Sequence, residues 1–324
     1  TSNALHLVLS RSANSKKKTI QENNHQYESA ADQTEALLHL AVALYQAGKV
    51  QHGKEADSHS HSHDAEEDWI KLFTICIRAW AKSGLPQAGQ RAEQLLDHME
   101  ALFNASDNQQ RQEHHHSNHL VLRPDAQMYT SVMNVYSKWG DATSAERIFQ
   151  RMFQDYHQNG NTKAKPDLFS FTTLIKAFSN TTTSSHEAAQ PNNAGDQAME
   201  LLQQMQQLAQ LQPDKVCYTA VMFAYAKRGQ TSRALDVLDT MIADYQKHGN
   251  QTAKPDQRTF ATLLRSLTVE GAPDAGEKAE QLVQQMRKEF QLVEPNKGIA
   301  YLLKKCKGIS KRAETRTNHQ AWAE

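Results

Sequence analysis

Apolar residues recur along the chain with the spacing of amphipathic helices, and the predicted helices come in pairs. In residues 128–140, MYTSVMNVYSKWG, apolar side chains share one face and Gly140 marks the end of the helix. In residues 143–152, TSAERIFQRM, apolar positions follow the i, i+3, i+4, i+7 rule from Ala145 to Met152. No segment alternates with the period of a strand. The pattern predicts an all-α fold.

The helix pairs repeat behind a Pro-Asp phrase. Residues 165–178 read KPDLFSFTTLIKAF, and related phrases begin RPDAQMYT, QPDKVCYT and KPDQRTFA at Arg123, Gln212 and Lys254. Two connectors, DYHQNGNTKAKPD and DYQKHGNQTAKPD, also match at eight positions, which indicates duplicated units. A helix pair cannot bury its apolar face alone, and stacked neighbours cover such faces. We therefore predict an α-solenoid of two-helix repeats.

Degenerate copies extend the repeat in both directions. KLFTICIRAWAKSG (71–84) aligns with residues 127–140 without a gap, and QTEALLHLAVALY (33–45) resembles the second helix RAEQLLDHMEALF (91–103). Lys297 to the end carries seven Lys or Arg against two Glu, which favours a solvated basic tail. The predicted units are a degenerate or truncated first repeat with a His-rich loop over 1–69, repeats over 70–125, 126–167, 168–214, 215–256 and 257–296, and a terminal helix and basic tail over 297–324.

Composition changes this picture little. Lys+Arg (36) equals Asp+Glu (36) in 324 residues, so net charge neither favours nor excludes nucleic acid. No apolar run approaches the roughly 20 residues of a membrane span, which predicts a soluble protein. The three cysteines are far apart and favour a reducing compartment. The acid-free start, TSNALHLVLSRSANSKKK, fits an organelle transit sequence or a truncated first helix.

The order of residues in these units resembles the pentatricopeptide repeat family, strongly over 70–296 and weakly over 1–69. In one unit the order is carried by Tyr129, Thr130, Val132-Met133, Lys138-x-Gly140, Ala145, Met152 and Pro166-Asp167. The long loops resemble the repeat region of protein-only RNase P, without its nuclease domain. The Trp, Leu-Gly and Tyr pattern of tetratricopeptide repeats does not fit, because the Leu-Gly is missing.

The resemblance implies binding of single-stranded RNA, with one base read per repeat by the residue after the aromatic and the last residue of the unit. In the family, Thr with Asp resembles the guanine-preferring combination and Thr with Asn the adenine-preferring one, so a G-rich RNA is expected. Ala261 with Asn296 departs from the pattern. A purely structural interpretation is also open, in which each Asp begins a helix and each Thr is tolerated there. The implied pairs are Thr74 with Asp125, Thr130 with Asp167, Thr172 with Asp214, and Thr219 with Asp256.

Stacking and phosphate contacts are implied at other positions of the repeat. Phe169 and Val216 suit a base-stacking place near the start of the first helices, where Gln127 is a poorer platform. Lys82, Lys138 and Lys227 have two interpretations, as phosphate contacts or as cations favoured at helix C-termini.

No enzyme, cofactor or resident metal is expected from the motifs. The histidines of residues 59–63 and 114–116 alternate with Ser or lie in polar inserts, without fixed ligand geometry. We predict an RNA-binding protein of a mitochondrion or plastid, acting in RNA processing, stability or translation and able to recruit processing proteins, with no membrane partner. The alternatives are a protein-binding helical scaffold and an RNA-binding fragment of a protein-only RNase P-like enzyme.

Overall fold

The protein is all-helical in the computed structural model, which describes residues 24–46, 61–112, 123–181, 194–207, 209–292 and 296–321. These residues contain twelve α-helices and no strand. No helix in these ranges is long and apolar enough to cross a membrane. The helices are α1 (Asn24–Gln46), α2 (His61–Ser83), α3 (Ala88–Gln112), α4 (Ala126–Trp139), α5 (Ala142–His157), α6 (Leu168–Asn180), α7 (Ala194–Gln207), α8 (Lys215–Ala226), α9 (Thr231–Gln246), α10 (Gln257–Glu270), α11 (Ala275–Phe290) and α12 (Lys297–Ala321).

The helices fall into two compact units. The first lies within Thr1–Lys138 and Thr143–Pro166, and the second within Trp139–Ala142 and Asp167–Glu324. In the second unit the first helices of successive pairs, α6, α8, α10 and α12, contact one another in a row. The second helices α7, α9 and α11 pack on that row as another layer. The predicted all-α class and the stacking of helix pairs are confirmed in this unit.

The core lies between the two layers and is built from equivalent positions of each pair. The aromatic residue of each Pro-Asp phrase is buried in the helix that follows it, and one methionine is fully buried in each of α3, α5, α7, α9 and α11. In the second unit these residues are Phe171, Tyr218 and Phe260, with Met205, Met241 and Met286. A fully buried Met or Phe side chain contributes about 1.5–3 kcal/mol relative to an exposed one. The recurring apolar phrase therefore supplies a core that continues from pair to pair.

Neighbouring pairs are also linked by one recurring polar contact. A large aromatic late in a first helix donates a hydrogen bond to a carboxylate on the second helix of the preceding pair. In the first unit Tyr136 donates to Glu93 (2.6 Å) and Trp80 donates to Glu35 (2.8 Å). In the second unit Tyr225 donates to Asp196 (2.9 Å). Helix α1 thus makes with α2 the contact that α3 makes with α4.

Each Pro-Asp phrase ends a connector and caps the next helix. Asp125, Asp167, Asp214 and Asp256 accept hydrogen bonds through a side-chain oxygen from main-chain N–H groups two or three residues further on. Asp167 and Asp256 form capping boxes, in which the third helical residue bonds back to the cap. This accounts for the Asp of the phrase on structural grounds alone, at about 1 kcal/mol for each cap.

The two matching connectors are held by the same buried contacts. Asp155 accepts from Asn161 Nδ2 (2.6 Å) and from the Tyr129 hydroxyl (3.2 Å). Asn161 Nδ2 also donates to the Pro124 carbonyl (2.8 Å). Equivalent contacts in the second unit are made by Asp244, Asn250, Tyr218 and Pro213. Each connector is thereby tied to its own first helix and to the preceding Pro-Asp phrase.

Most residues of these connectors are exposed, but each connector has a buried polar anchor. Asn161 and Asn250 are only 2% exposed. Gly160 and Gly249 have φ of 66° and 74°, a left-handed conformation in which a side chain is strained. The Asn of each connector is required because its side chain satisfies a Pro carbonyl in the buried contact.

A terminal helix and basic tail are predicted for residues 297–324. Residues 297–321 form the helix α12, which packs on α10 and α11. Ile299 and Cys306 are fully buried in that contact. The high charge lies on the exposed faces of an amphipathic helix, so composition alone suggested a solvated segment. Residues 1–18, for which the sequence predicts a transit sequence or a truncated first helix, lie outside the described residues.

A Glu93→Gln variant is expected to lower the free energy of unfolding by about 1–2 kcal/mol at neutral pH, because hydrogen bonds to a charged group are lost. Glu93 accepts from Tyr136, Arg147 and Arg151. The Arg147 contact, with Tyr136, holds the pKa of Glu93 below its usual range. This stabilisation is present above the unfolded pKa of about 4.3 and is lost as pH falls through the folded value.

Urea unfolding at several pH values measures this effect. The difference between wild type and Glu93→Gln should shrink in acid. Glu146→Gln, an exposed site on α5, is the matched control and should change stability by less than about 0.5 kcal/mol. A difference independent of pH would contradict the electrostatic explanation.

Candidate nucleic-acid interface

A groove runs along the first helices of the second unit. It has a volume of about 400 Å³. Residues of the three helices α6, α8 and α10 line it. The lining residues are Lys176, Ser179, Asn180, Lys215, Val216, Thr219, Ala220, Phe223, Arg258, Ala261, Thr262 and Arg265. The groove therefore combines charged, hydroxyl and apolar groups from three successive repeats.

The groove is basic although the chain has no net charge. Lys176, Lys215, Arg258 and Arg265 line it, and no carboxylate is among the lining residues of this described region. Asp256 is not a lining residue, but its Oδ2 lies 3.3 Å from the Nζ of the groove residue Lys215. A low-dielectric wall carrying cations attracts an anionic backbone more strongly than the mean charge implies.

The predicted base-reading threonines are placed unequally. Thr74, Thr130 and Thr172 are buried, at 5%, 1% and 4% exposure. Thr219 is half-exposed and lines the groove. Each hydroxyl donates to the main-chain carbonyl four residues earlier in its own helix, at 2.6–2.8 Å. Three of the four threonines are thus covered by protein, and only Thr219 presents its side chain to the groove.

Two of the predicted pairs are brought together by the third residue of the following helix. Thr219 Oγ1 lies 3.4 Å from Thr259 Oγ1, which lies 3.4 Å from Asp256 Oδ1. Thr172 Oγ1 lies 2.9 Å from Cys217 Sγ, and the Cys217 N–H donates to Asp214 Oδ1 (2.9 Å).

Within the described residues, no bridging contact joins Thr74 and Asp125. The residues of the remaining pair, Thr130 and Asp167, belong to different units. Burial raises the pKa of the Asp125 carboxyl, which is half-buried. Ala261 lines the groove, while Asn296 is exposed and caps α12 by accepting from the Ile299 N–H (2.9 Å).

The stacking and phosphate candidates separate into two groups. Phe169 is 60% exposed and Val216 is 36% exposed, so both present apolar surface to solvent. Lys138 instead donates to the Ala81 carbonyl (3.0 Å), and Lys227 donates to the Asn180 and Thr181 carbonyls (both 3.0 Å). These lysines bind the C-terminal carbonyls of a preceding first helix, which favours the structural interpretation of both.

The remaining candidates are Lys82 at a phosphate-contact position and Gln127 and Arg258 at the stacking position. All three are exposed. Arg258, unlike the other two, lines the groove. A cation at the predicted stacking place therefore adds to the positive charge of this surface.

Sequence reasoning missed three groove residues at one helical position. Lys176, Phe223 and Arg265 each lie nine residues after the capping Asp of their helix. Two further turns of helix bring that position back to the face of the second and fifth residues. Counting from each cap would have identified them.

The histidine runs carry no assigned site. Residues 114–116 lie outside the described residues, and of residues 59–63 only the backbone of 61–63 is described, within α2. Among the described side chains no group of three His, Cys, Asp or Glu is placed to hold a metal ion.

Comparison with known proteins identifies the repeats. The pentatricopeptide repeat family model matches residues 127–156 and 216–244. Each match begins in a first helix, α4 or α8, and runs through most of the second helix that follows. These are the two units with the matching connectors.

Two curated relatives come from Arabidopsis thaliana, and both are pentatricopeptide repeat-containing proteins. One, described as chloroplastic, is 28% identical over 126 residues, covering 38% of this chain and 14% of the relative. The other is 23% identical over 175 residues, covering 54% of this chain and 27% of the relative. The chain thus spans less than a third of the length of either relative.

Solved structures of the pentatricopeptide repeat protein PPR10 are also similar to the chain. One is in complex with an 18-nucleotide psaJ RNA element, at 15% identity and a TM-score of 0.35, covering 99% of this chain and 48% of that one. The structure of PPR10 from maize gives 15% identity and a TM-score of 0.25, covering 94% and 47%.

Paired helices stacked in a row, with a groove along the first helices, define a helical-repeat protein. Two of its repeats match the family model over both helices. The chain therefore contains pentatricopeptide repeats at these two matches. Its assignment to the long-loop type of protein-only RNase P stays a prediction.

Proposed function

We propose that the protein binds single-stranded RNA along the first helices of its repeats. The observation that carries this is the basic groove over α6, α8 and α10, in which Val216 and Phe223 lie among four cations. Single-stranded nucleic acid is bound where a positive groove follows the backbone and apolar side chains offer surfaces on which bases stack. PPR10 was solved with an RNA element, but the proposal rests on the groove of this chain.

Base preference is proposed to come first from the Thr219 and Asp256 pair. Thr219 faces the groove, and Asp256 caps α10 through Oδ1 while its Oδ2 pairs with the groove residue Lys215 (3.3 Å). A carboxylate accepts from the N1–H and N2–H donors of guanine, and a hydroxyl donates or accepts. The pairs of Thr172 with Asp214, Thr74 with Asp125 and Thr130 with Asp167 stay predictions of the family resemblance, because their threonines are buried. A G-rich single-stranded target follows from this.

The biological role is proposed to be RNA processing, stability or translation in an organelle, without catalysis by this chain. A chloroplastic relative supports an organellar setting, and the proposed chemistry consists of binding. Recruitment of processing proteins belongs to the same proposal.

RNA binding is tested by fluorescence anisotropy with a labelled G-rich single strand at several salt concentrations. Wild type should bind, and a variant with Arg258→Gln and Arg265→Gln should bind more weakly to all sequences. Since each phosphate contact on a single strand contributes about 0.7 to the slope of log K against log salt, the slope should fall by up to about 1.4.

The matched control is Arg287→Gln with Lys288→Gln, which removes the same charge from the exposed face of the second helix α11. It should leave the affinity and slope near wild type. Equal losses in both double variants would contradict binding in the groove, and no binding by wild type would refute the function.

A further inference from the structure

Helix α12 extends the row of first helices in the same register. Asn296 caps it through the Ile299 N–H, as Asp214 caps α8 through the Cys217 N–H, three residues after the cap in both helices. Helix α12 contacts α10, and the Cys306 thiol lies 3.6 Å from the Leu264 carbonyl. Residues at equal distances from the cap therefore occupy equivalent positions on α8, α10 and α12.

The positions that line the groove can be followed from helix to helix. They are the second, fifth and ninth residues after each cap: Val216, Thr219 and Phe223 on α8, then Arg258, Ala261 and Arg265 on α10. On α12 the same positions hold Gly298, Tyr301 and Lys305. Lys297 corresponds to the groove residue Lys215. The helical positions that line the groove thus recur on α12, where they place one aromatic between two lysines.

Tyr301 is placed differently from the aromatics of the other first helices. In those helices the aromatic is the fourth residue after the cap and is buried, as Tyr218 and Phe260 are. In α12 the fourth residue is the exposed Ala300, and the aromatic is shifted by one to position five, where Tyr301 is 66% exposed. A shift of one residue turns a helical side chain by about 100°. The ring therefore leaves the core side for the groove side.

An exposed ring beside cations matches the chemistry of a nucleotide. Tyr301 is 66% exposed and forms no hydrogen bond or ring contact within the described residues, so most of its surface is accessible to a ligand. Gly298, one turn before it, has no side chain to cover the ring. Lys297 and Lys305 are exposed and lie one turn to either side, at the spacing of side-chain neighbours on a helix.

We propose that Tyr301 is a stacking platform for one additional RNA base, with Lys297 and Lys305 contacting the adjoining phosphates. This rests on the proposed RNA-binding function and adds to it a subsite that does not depend on hydrogen bonds to a base edge. Stacking accepts any base, since every base has a π face. The subsite therefore adds affinity and site length without sequence preference.

The test uses the full chain and single-stranded RNAs with the fluorescent base 2-aminopurine placed in turn at either end. Stacking on a ring quenches that base. Wild type should quench the probe at one end, and Tyr301→Ala should abolish that quenching and weaken binding by about 5- to 150-fold. Tyr301→Phe, which keeps the ring, should behave like wild type. Circular dichroism should be unchanged in both, because the side chain is exposed.

The possible results distinguish the Tyr301 stacking platform from RNA binding by the chain. If wild type binds the RNAs but Tyr301→Ala binds and quenches equally well, the platform is refuted and RNA binding stands. If wild type binds no RNA, both are refuted. Loss of binding in Tyr301→Phe as well as in Tyr301→Ala would assign the effect to the hydroxyl and also overturn the stacking proposal.

Discussion

An Asp244→Ala variant is expected to lose about 2–4 kcal/mol of stability, which follows from about 1–3 kcal/mol for each buried polar group left without a partner. Asp244 accepts from Asn250 Nδ2 (2.7 Å) and from the Tyr218 hydroxyl (3.2 Å), and both partners are buried. Burial, followed by the charge of Asp244, raises the pKa of Tyr218, so the phenol stays a donor over the usual pH range. Alanine leaves this donor and one Asn250 N–H unsatisfied.

Urea unfolding followed by circular dichroism measures the loss. Asp239→Ala, on the exposed face of the same helix α9, is the matched control and should change stability by less than about 0.5 kcal/mol. Asp155→Ala removes the equivalent carboxylate of the first unit and should show a comparable loss. An Asp244→Ala protein as stable as the control would mean that the connector does not hold the repeat together.

An Asp256→Asn variant should move the base preference of one repeat from guanine towards adenine with little loss of stability. Asp256 Oδ1 caps α10 by accepting from the Arg258 and Thr259 N–H groups, at 2.9 and 3.1 Å. Asparagine caps as well as aspartate, so its oxygen keeps that place and its amide replaces Oδ2. The second carboxylate oxygen, an acceptor that pairs with Lys215, is then replaced by a donor.

The change in preference is measured by competition among RNAs that differ at a single position. One wrong base is expected to cost about 1–3 kcal/mol, if the range for bidentate base contacts in DNA applies. Asp274→Asn makes the same chemical change at the start of the second helix α11, where Asp274 pairs with Lys278 (2.8 Å), and should leave base preference unchanged. An unaltered guanine-to-adenine ratio in Asp256→Asn would refute base reading by this pair.

Much of the fold could be predicted because the same local interactions recur in each repeat. Helix period, the capping Asp and the buried aromatic are properties of neighbouring residues, and four copies of the phrase agree on them. The buried contacts of the connectors could not be predicted from neighbouring residues. Asn161 and Asn250 have the composition of a surface loop, and their burial depends on a Pro carbonyl 37 residues earlier in the chain.

The candidate site was predictable in kind but not in detail. The family resemblance marked one Thr for each of four repeats, and these look alike in sequence. Their exposure differs because packing against the following helix covers Thr172, through Cys217, while leaving Thr219 open to the groove. The ammonium groups of Lys138 and Lys227 are likewise directed by carbonyls that only a neighbouring helix supplies.

The sequence by itself determined the helical class, the repeat, the cap of each first helix and the family, because these depend on residues close together in the chain. The tertiary structure decided which side chains are accessible, since burial is set by contacts between helices about 40 residues apart. It also gathered Lys176, Lys215, Arg258 and Arg265 onto one groove of a chain with no net charge. Electrostatic attraction falls with distance and with solvent screening, so the arrangement of these charges matters where their sum does not.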